Sequence, residues 1–167
     1  MAPLQKGDKF PDGVVFDWVP IENDDPLLCG VPQNYNASKE FAGKKVVLIS
    51  VPGAFTPTCQ ARHIPPFLEK SEELKSKGVE LVVVIGYNDG WVMNAWGKVN
   101  GVKGTDPVLF MGDIKTFFSK NYAFPSASER NSRWAMVIEK DGTISYSEYD
   151  GPGQLEASTA EAVLAKL

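Results

Sequence analysis

The segment 44-KKVVLISVPGAFTPTC-59 decides the fold. Its first half, Lys44–Val51, is a β-branched run of strand length, and its apolar residues leave no solvent face, so it reads as a buried strand. Its second half turns sharply. Pro52 and Gly53 end the strand, Thr56 is a good helix N-cap, and Pro57 suits the first helical position, where a missing N–H costs nothing. Cys59 then falls in the first helical turn, at the end of a strand that runs directly into a helix.

Outward from this junction the elements alternate. The helical stretch after Cys59 is interrupted by Pro65-Pro66, and its second half, PFLEKSEELKSK, stops at Gly78. Leu81–Ile85 is a second buried strand, Trp91–Val99 a helix, Val108–Met111 a strand and Ile114–Asn121 a short helix. Trp134–Ile138 and Thr143–Tyr146 flank Asp141-Gly142, the strongest short hairpin signal. Ser158-Thr159-Ala160-Glu161 reads as a capping box that opens a last helix. Upstream, Val14–Val19 reads as a strand or hairpin arm, and Ile21–Asn36 as one long loop carrying Cys29. The expectation is an α/β architecture over residues 1–167: one domain with a central mixed sheet, helices on both faces and an N-terminal extension. Such layouts place sites at the carboxyl ends of strands, which points again to PGAFTPTC.

Composition narrows the function. The 167 residues are 43% hydrophobic and 23% charged, an ordinary globular balance. Apolar runs such as Leu81–Ile85 fall far short of the ~18 residues of a membrane span, and the N-terminus has no signal-like apolar region. Seventeen basic against 21 acidic residues, without a basic block, argue against a nucleic-acid or membrane surface. Two cysteines and one histidine, His63, match no zinc spacing.

At Cys59 the free N–H groups and positive dipole end of a helix favour a thiolate. Ionisation alone is a limited lever: a thiol of pKa ~8.5 is already about 3% ionised at pH 7, so full ionisation gains some thirtyfold. Faster chemistry needs a hydroxyl and a guanidinium aimed at the reacting atoms. The bland alternative for Cys59 is a small buried hydrophobe. Likewise Thr56 alone is a cap, Pro52 alone a strand end, and Arg133 alone a solvated charge. His63, four residues after Cys59, motivates a rival reading as the base of a Cys-His hydrolase.

PGAFTPTC resembles the active-site motif of the peroxiredoxins, P-x-x-x-T-x-x-C, with Pro52, Thr56 and Cys59. YNDGWVMNAWGK and SRWAMVIEKDG downstream are similar to the Prx5-type branch, which includes fungal peroxisomal and allergen members, and the likeness runs from about Pro3 to Leu167. The resemblance implies a thioredoxin-like fold and a thiol peroxidase acting on hydrogen peroxide and alkyl hydroperoxides, with no metal, haem or flavin cofactor. By carry-over Cys59 is the peroxidatic cysteine, Thr56 bonds thiolate and peroxide, Pro52 shields the sulfur, Arg133 pairs with both, and His63 is supporting. No cysteine follows Cys59, so the resolving arrangements of the plant and mammalian relatives do not transfer. Cys29 resembles the upstream cysteine of certain fungal members, whose disulfide links two subunits. The family implies a homodimer and thioredoxin as reductant, with glutaredoxin or glutathione as alternatives. Non-enzymatic roles, as a peroxide sensor or a redox-regulated chaperone, stand beside this. Trp91 and Trp96, on one helix, suit an interface or the core. Ala165-Lys166-Leu167 resembles the S-K-L peroxisomal address, so cytoplasm and peroxisome both stand.

Overall fold

The computed structural model describes residues 2–167. Seven strands, β1 (Val15–Trp18), β2 (Gln33–Asn36), β3 (Val46–Val51), β4 (Leu81–Gly86), β5 (Val108–Gly112), β6 (Arg133–Ile138) and β7 (Ile144–Asp150), form one sheet in the order β2-β1-β5-β4-β3-β6-β7. β3, β4 and β5 are parallel, and β6, β7, β1 and β2 add antiparallel pairings at the two sides. All six residues of β3 are buried, as expected for a strand covered on both faces.

The period of two splits β3 between two cores. Val47, Ile49 and Val51 pack on one face, under α2 (Ile64–Glu69), α3 (Ser71–Ser76), α4 (Gly90–Val99) and α6 (Ala160–Leu164). Val46 and Leu48 face the other layer, covered by α1 (Ala37–Glu40) and α5 (Phe117–Tyr122). Burial of each Val, Leu or Ile side chain is worth about 1.5–3 kcal/mol, which makes the junction at the end of β3 a rigid base.

Several sequence expectations need correction. The stretch Ile21–Asn36 is not wholly loop: its last four residues form β2, paired with β1 through Phe16↔Tyr35. The prolines do not interrupt the helix after Cys59. Cys59–His63 form a π turn leading straight into α2, and the break comes at Lys70, between α2 and α3. Pro65 and Pro66 have no N–H to return to Ala61 and Arg62, and their rings crowd those carbonyls. The turn widens instead, with Ile64 N–H donating to the Cys59 carbonyl. Before α5 lies a 3₁₀ turn, Ile114–Thr116, in which Lys115 and Thr116 both have positive φ. Thr159, not Ser158, caps α6, its hydroxyl accepting from Ala162 N–H at 3.1 Å. Of the two tryptophans, Trp96 is buried and Trp91 exposed.

The register positions the site. β6 runs antiparallel to β3 with Ser50 opposite Trp134. Arg133 therefore sits beside the carboxyl end of β3, where the chain turns toward Cys59.

Candidate active site

Cys59 begins the π turn and is fully buried. Its helix is fixed to α4 by an amide pair: Gln60 Nε2 donates to Asn100 Oδ1 at 2.8 Å, Asn100 Nδ2 donates back to Gln60 Oε1 at 3.1 Å, and Trp96 Nε1 donates to the same Oε1. The preceding loop is held from β4's end, where Asn88 Oδ1 accepts from Ala54 N–H at 2.8 Å. A side chain at Gly53 would displace Arg130, because a Cβ there would lie 2.7 Å from Arg130 Nη1. Phe55 takes a left-handed conformation with φ 60°, backbone strain of the sort that marks functional loops.

The structure brings Arg133 to Cys59. Nη2 lies 3.5 Å from Sγ, and Nη1 lies 2.9 Å from His63 Nδ1. The Thr56 hydroxyl donates to the Gly53 carbonyl at 2.8 Å and makes no helix-capping bond; Gln60 N–H reaches the Thr56 carbonyl at 2.9 Å. The Pro52 carbonyl accepts from Arg130 Nη1 at 3.3 Å, and Arg130 covers the Tyr87 ring at 4.8 Å. Beside Pro52 and Arg133 opens a cavity of about 300 Å³, walled by Pro125–Ser128 and Tyr149–Gly153.

Cys29 lies apart from this group, exposed and unbonded to Cys59. Its loop is fastened to α4: Lys98 Nζ donates to Leu28 O at 2.8 Å and Asp25 O at 3.1 Å, and Trp91 Nε1 donates to Gly30 O at 3.2 Å.

Behind Arg133 lies a polar chain that sequence reasoning missed. His63 Nε2 is 2.9 Å from the Ser158 carbonyl and 3.2 Å from Ser158 Oγ, and that hydroxyl donates to Asp150 Oδ2 at 2.5 Å. Burial raises the Asp150 pKa, but hydrogen bonds from Ser158 Oγ and from the Ala157, Glu156 and Ser158 N–H groups outweigh it and hold the carboxyl below its ordinary value. The signal in the sequence was slight, because Ser158 is disguised as a helix cap. A one-turn partner of Cys59 also looked like a base, whereas the ring is turned to Arg133 and Ser158.

Burial, with Arg133 adding to it against the Ser158 carbonyl and Asp150, lowers the His63 pKa from 6.5 to about 4. The unfolded chain takes a proton near pH 6.5 that the folded chain refuses until about pH 4. Stability is therefore full above about pH 6.5 and falls as pH drops through that window, by about 3 kcal/mol over the whole of it. Denaturant unfolding of the wild type and His63→Asn at neutral and acid pH checks this. The wild type should lose that increment selectively; equal acid losses in both would refute it.

Known proteins resemble this chain over nearly its full length. A family model described as Redoxin matches residues 5–164. The chain is 46% identical over 166 residues to the Penicillium citrinum peroxiredoxin Pen c 3, covering 98% of this chain and 99% of that one. It is 40% identical over 167 residues to a Lipomyces kononenkoae protein named as a peroxisomal peroxiredoxin, covering 96% and 99%. A crystal structure of reduced Prx3 from Vibrio vulnificus, in complex with hydrogen peroxide, superposes with a TM-score of 0.81 at 31% identity, over 98% of this chain and 99% of that one. The α/β sheet described above is thus thioredoxin-like, and the chain belongs to the peroxiredoxins of the Redoxin family, thiol peroxidases that reduce peroxides through a cysteine, in their fungal, Prx5-like branch.

Proposed function

We propose that Cys59 is the peroxidatic residue and that hydrogen peroxide and alkyl hydroperoxides are its substrates. The observation that carries this is the 3.5 Å approach of Arg133 Nη2 to Cys59 Sγ, from a strand 74 residues away in sequence. The guanidinium stabilises the thiolate and then the negative charge that develops on the departing oxygen. The thiolate donates an electron pair to the nearer peroxide oxygen, the O–O bond breaks, and the sulfur is oxidised to a sulfenic acid. The distal oxygen leaves as hydroxide or alkoxide and takes a proton from solvent to become water or alcohol. Thr56, through the lone pairs left on its hydroxyl, orients the peroxide, and Pro52 limits water at the sulfur. The cavity beside Pro52 and Arg133 receives the organic group of an alkyl hydroperoxide.

Cys29 is the resolving thiol in this reading. It attacks the sulfenic sulfur, forms a disulfide with Cys59 and expels water; thioredoxin, or alternatively glutaredoxin or glutathione, then reduces that bond. Because Cys59 is fully buried and Cys29 exposed, the Cys59 turn must open for the two to meet. The disulfide joins two subunits of a homodimer.

The test is peroxide-dependent NADPH oxidation through thioredoxin reductase and thioredoxin, with non-reducing gels of the wild type, Cys59→Ser and Cys29→Ser. Loss of turnover in both variants, and a peroxide-induced dimer band only in the wild type, is the expected result. Turnover retained in Cys29→Ser would make the reductant attack Cys59 directly. Absence of turnover with every thiol donor would leave a single-use peroxide sensor.

We also read Ala165-Lys166-Leu167 as a peroxisomal address, with the cytoplasm as second location, on the strength of the tripeptide and the name of the Lipomyces relative. Leu167 packs partly against the core, so a receptor must first lift it away. Deleting residues 165–167 should disperse a punctate fluorescent fusion; unchanged puncta would refute the address.

A further inference from the structure

We infer that His63 is a positioning residue that aims the Arg133 guanidinium at Cys59 without neutralising it, and that Asp150, through Ser158, keeps the His63 ring in the orientation this requires. The inference rests on the reading of Cys59 as the reacting thiol.

The hydrogen-bond chemistry fixes the tautomer. A guanidinium only donates, and its Nη1 lies 2.9 Å from His63 Nδ1. Nδ1 must therefore present a lone pair. The ring hydrogen is on Nε2, which donates to the Ser158 carbonyl at 2.9 Å. The Ser158 hydroxyl gives its hydrogen to Asp150 Oδ2 and turns a lone pair toward Nε2, 3.2 Å away. Asp150 is itself fixed by the N–H groups of Glu156, Ala157 and Ser158, at 2.9, 2.8 and 3.0 Å. His63, Ser158 and Asp150 are all buried, so water does not compete for these bonds.

What is unusual is the partner chosen for the arginine. Buried or half-buried arginines are ordinarily held by a carboxylate, often through two parallel hydrogen bonds. Among the described residues Arg133 forms no ion pair. A carboxylate in the place of His63 would orient the guanidinium equally well, but its negative charge would cancel much of the field at Sγ. A neutral imidazole supplies the direction and leaves the full positive charge for the sulfur and the leaving oxygen. Along this chain the negative charge sits at Asp150, three hydrogen bonds behind the guanidinium. The charged groups around His63 are Arg133 from β6 and Asp150 from β7; its neighbour on α2 is the apolar Phe67 ring, with centroids 6.0 Å apart.

The isosteric pair His63→Asn and His63→Asp tests this, because each places an acceptor near the Nδ1 position and only one is charged. Both are made in a Cys29→Ser background, so that a single thiol titrates. Thiolate absorbance against pH and the single-turnover rate with hydrogen peroxide are the readouts. His63→Asp should raise the Cys59 titration midpoint by about one unit or more relative to His63→Asn, with a rate at neutral pH roughly tenfold lower. Equal midpoints in the two variants would overturn the inference. A measurement on the unmodified chain guards against misfolded variants. His63 is the only histidine, so nitrogen NMR reads its ring without ambiguity. The Nε2–H tautomer should persist between about pH 5 and 8; an Nδ1–H ring or an imidazolium at neutral pH would refute the assignment. If the ring is as described but Cys59→Ser still consumes peroxide, the functional reading fails and the tautomer assignment stands.

Discussion

Cys59→Ser is expected to lower peroxide consumption by roughly 10⁴-fold or more, to the level of adventitious thiols. The reaction needs an atom that can give two electrons to a peroxide oxygen and remain bonded to it, which sulfur does in forming a sulfenic acid and a serine oxygen does not. The serine hydroxyl is also un-ionised at neutral pH, even with Arg133 beside it. At 1.36 kcal/mol per factor of ten, the loss is a barrier increase of about 5.5 kcal/mol or more. The check is single-turnover oxidation by stopped flow, with circular dichroism establishing that the variant is folded. Peroxide consumption within tenfold of the wild type would remove Cys59 from the reaction.

The next largest effect is expected at Arg133. Arg133→Ala should slow Cys59 oxidation by about 10²–10³-fold, the cost of one donor aimed at developing charge. Arg133→Lys is the more informative variant. One planar guanidinium reaches His63 Nδ1 through Nη1 and Cys59 Sγ through Nη2, whereas a lysine ammonium on a flexible stem lacks that fork. We expect Arg133→Lys to recover less than about a tenth of the lost rate despite its retained charge. A lysine variant within twofold of the wild type would mean that net charge alone matters and that the orientation imposed by His63 does not. Second-order rate constants for hydrogen peroxide, taken well below saturation, separate these outcomes.

The alternation of buried strands and helices was legible because β3 and β4 are mostly β-branched, apolar runs of the right length, and β6 and β7 flank an Asp-Gly turn. β2 was not, since Gln33–Asn36 has no β-branched residue and buries only Tyr35; its pairing with β1 carries it. The strand-to-helix junction before Cys59 was likewise readable from Pro52, Thr56 and Pro57. The widened turn behind it was not, because consecutive prolines signal a break in a helix and a π turn is the rarer way to accommodate them. Arg133 entered only by resemblance, since its approach to Cys59 depends on the β3–β6 register. The His63–Ser158–Asp150 chain was invisible for the same reason: its members are 63, 158 and 150 in the sequence, and only the packing of β7 and the segment before α6 against the π turn unites them.

The fastening of the Cys29 loop has a mechanical consequence. Lys98 grips the carbonyl before Cys29 and Trp91 the carbonyl after it, so the thiol stands on a short bridge anchored at both ends. For the two thiols to join as proposed, most of the displacement then falls on the Cys59 side, and the entropy lost in capture is chiefly that of the opened turn. Under the proposed resolution by Cys29, α4 acts as an anvil: it holds the exposed thiol's loop through Lys98 and Trp91, and the Cys59 turn through Trp96 and Asn100.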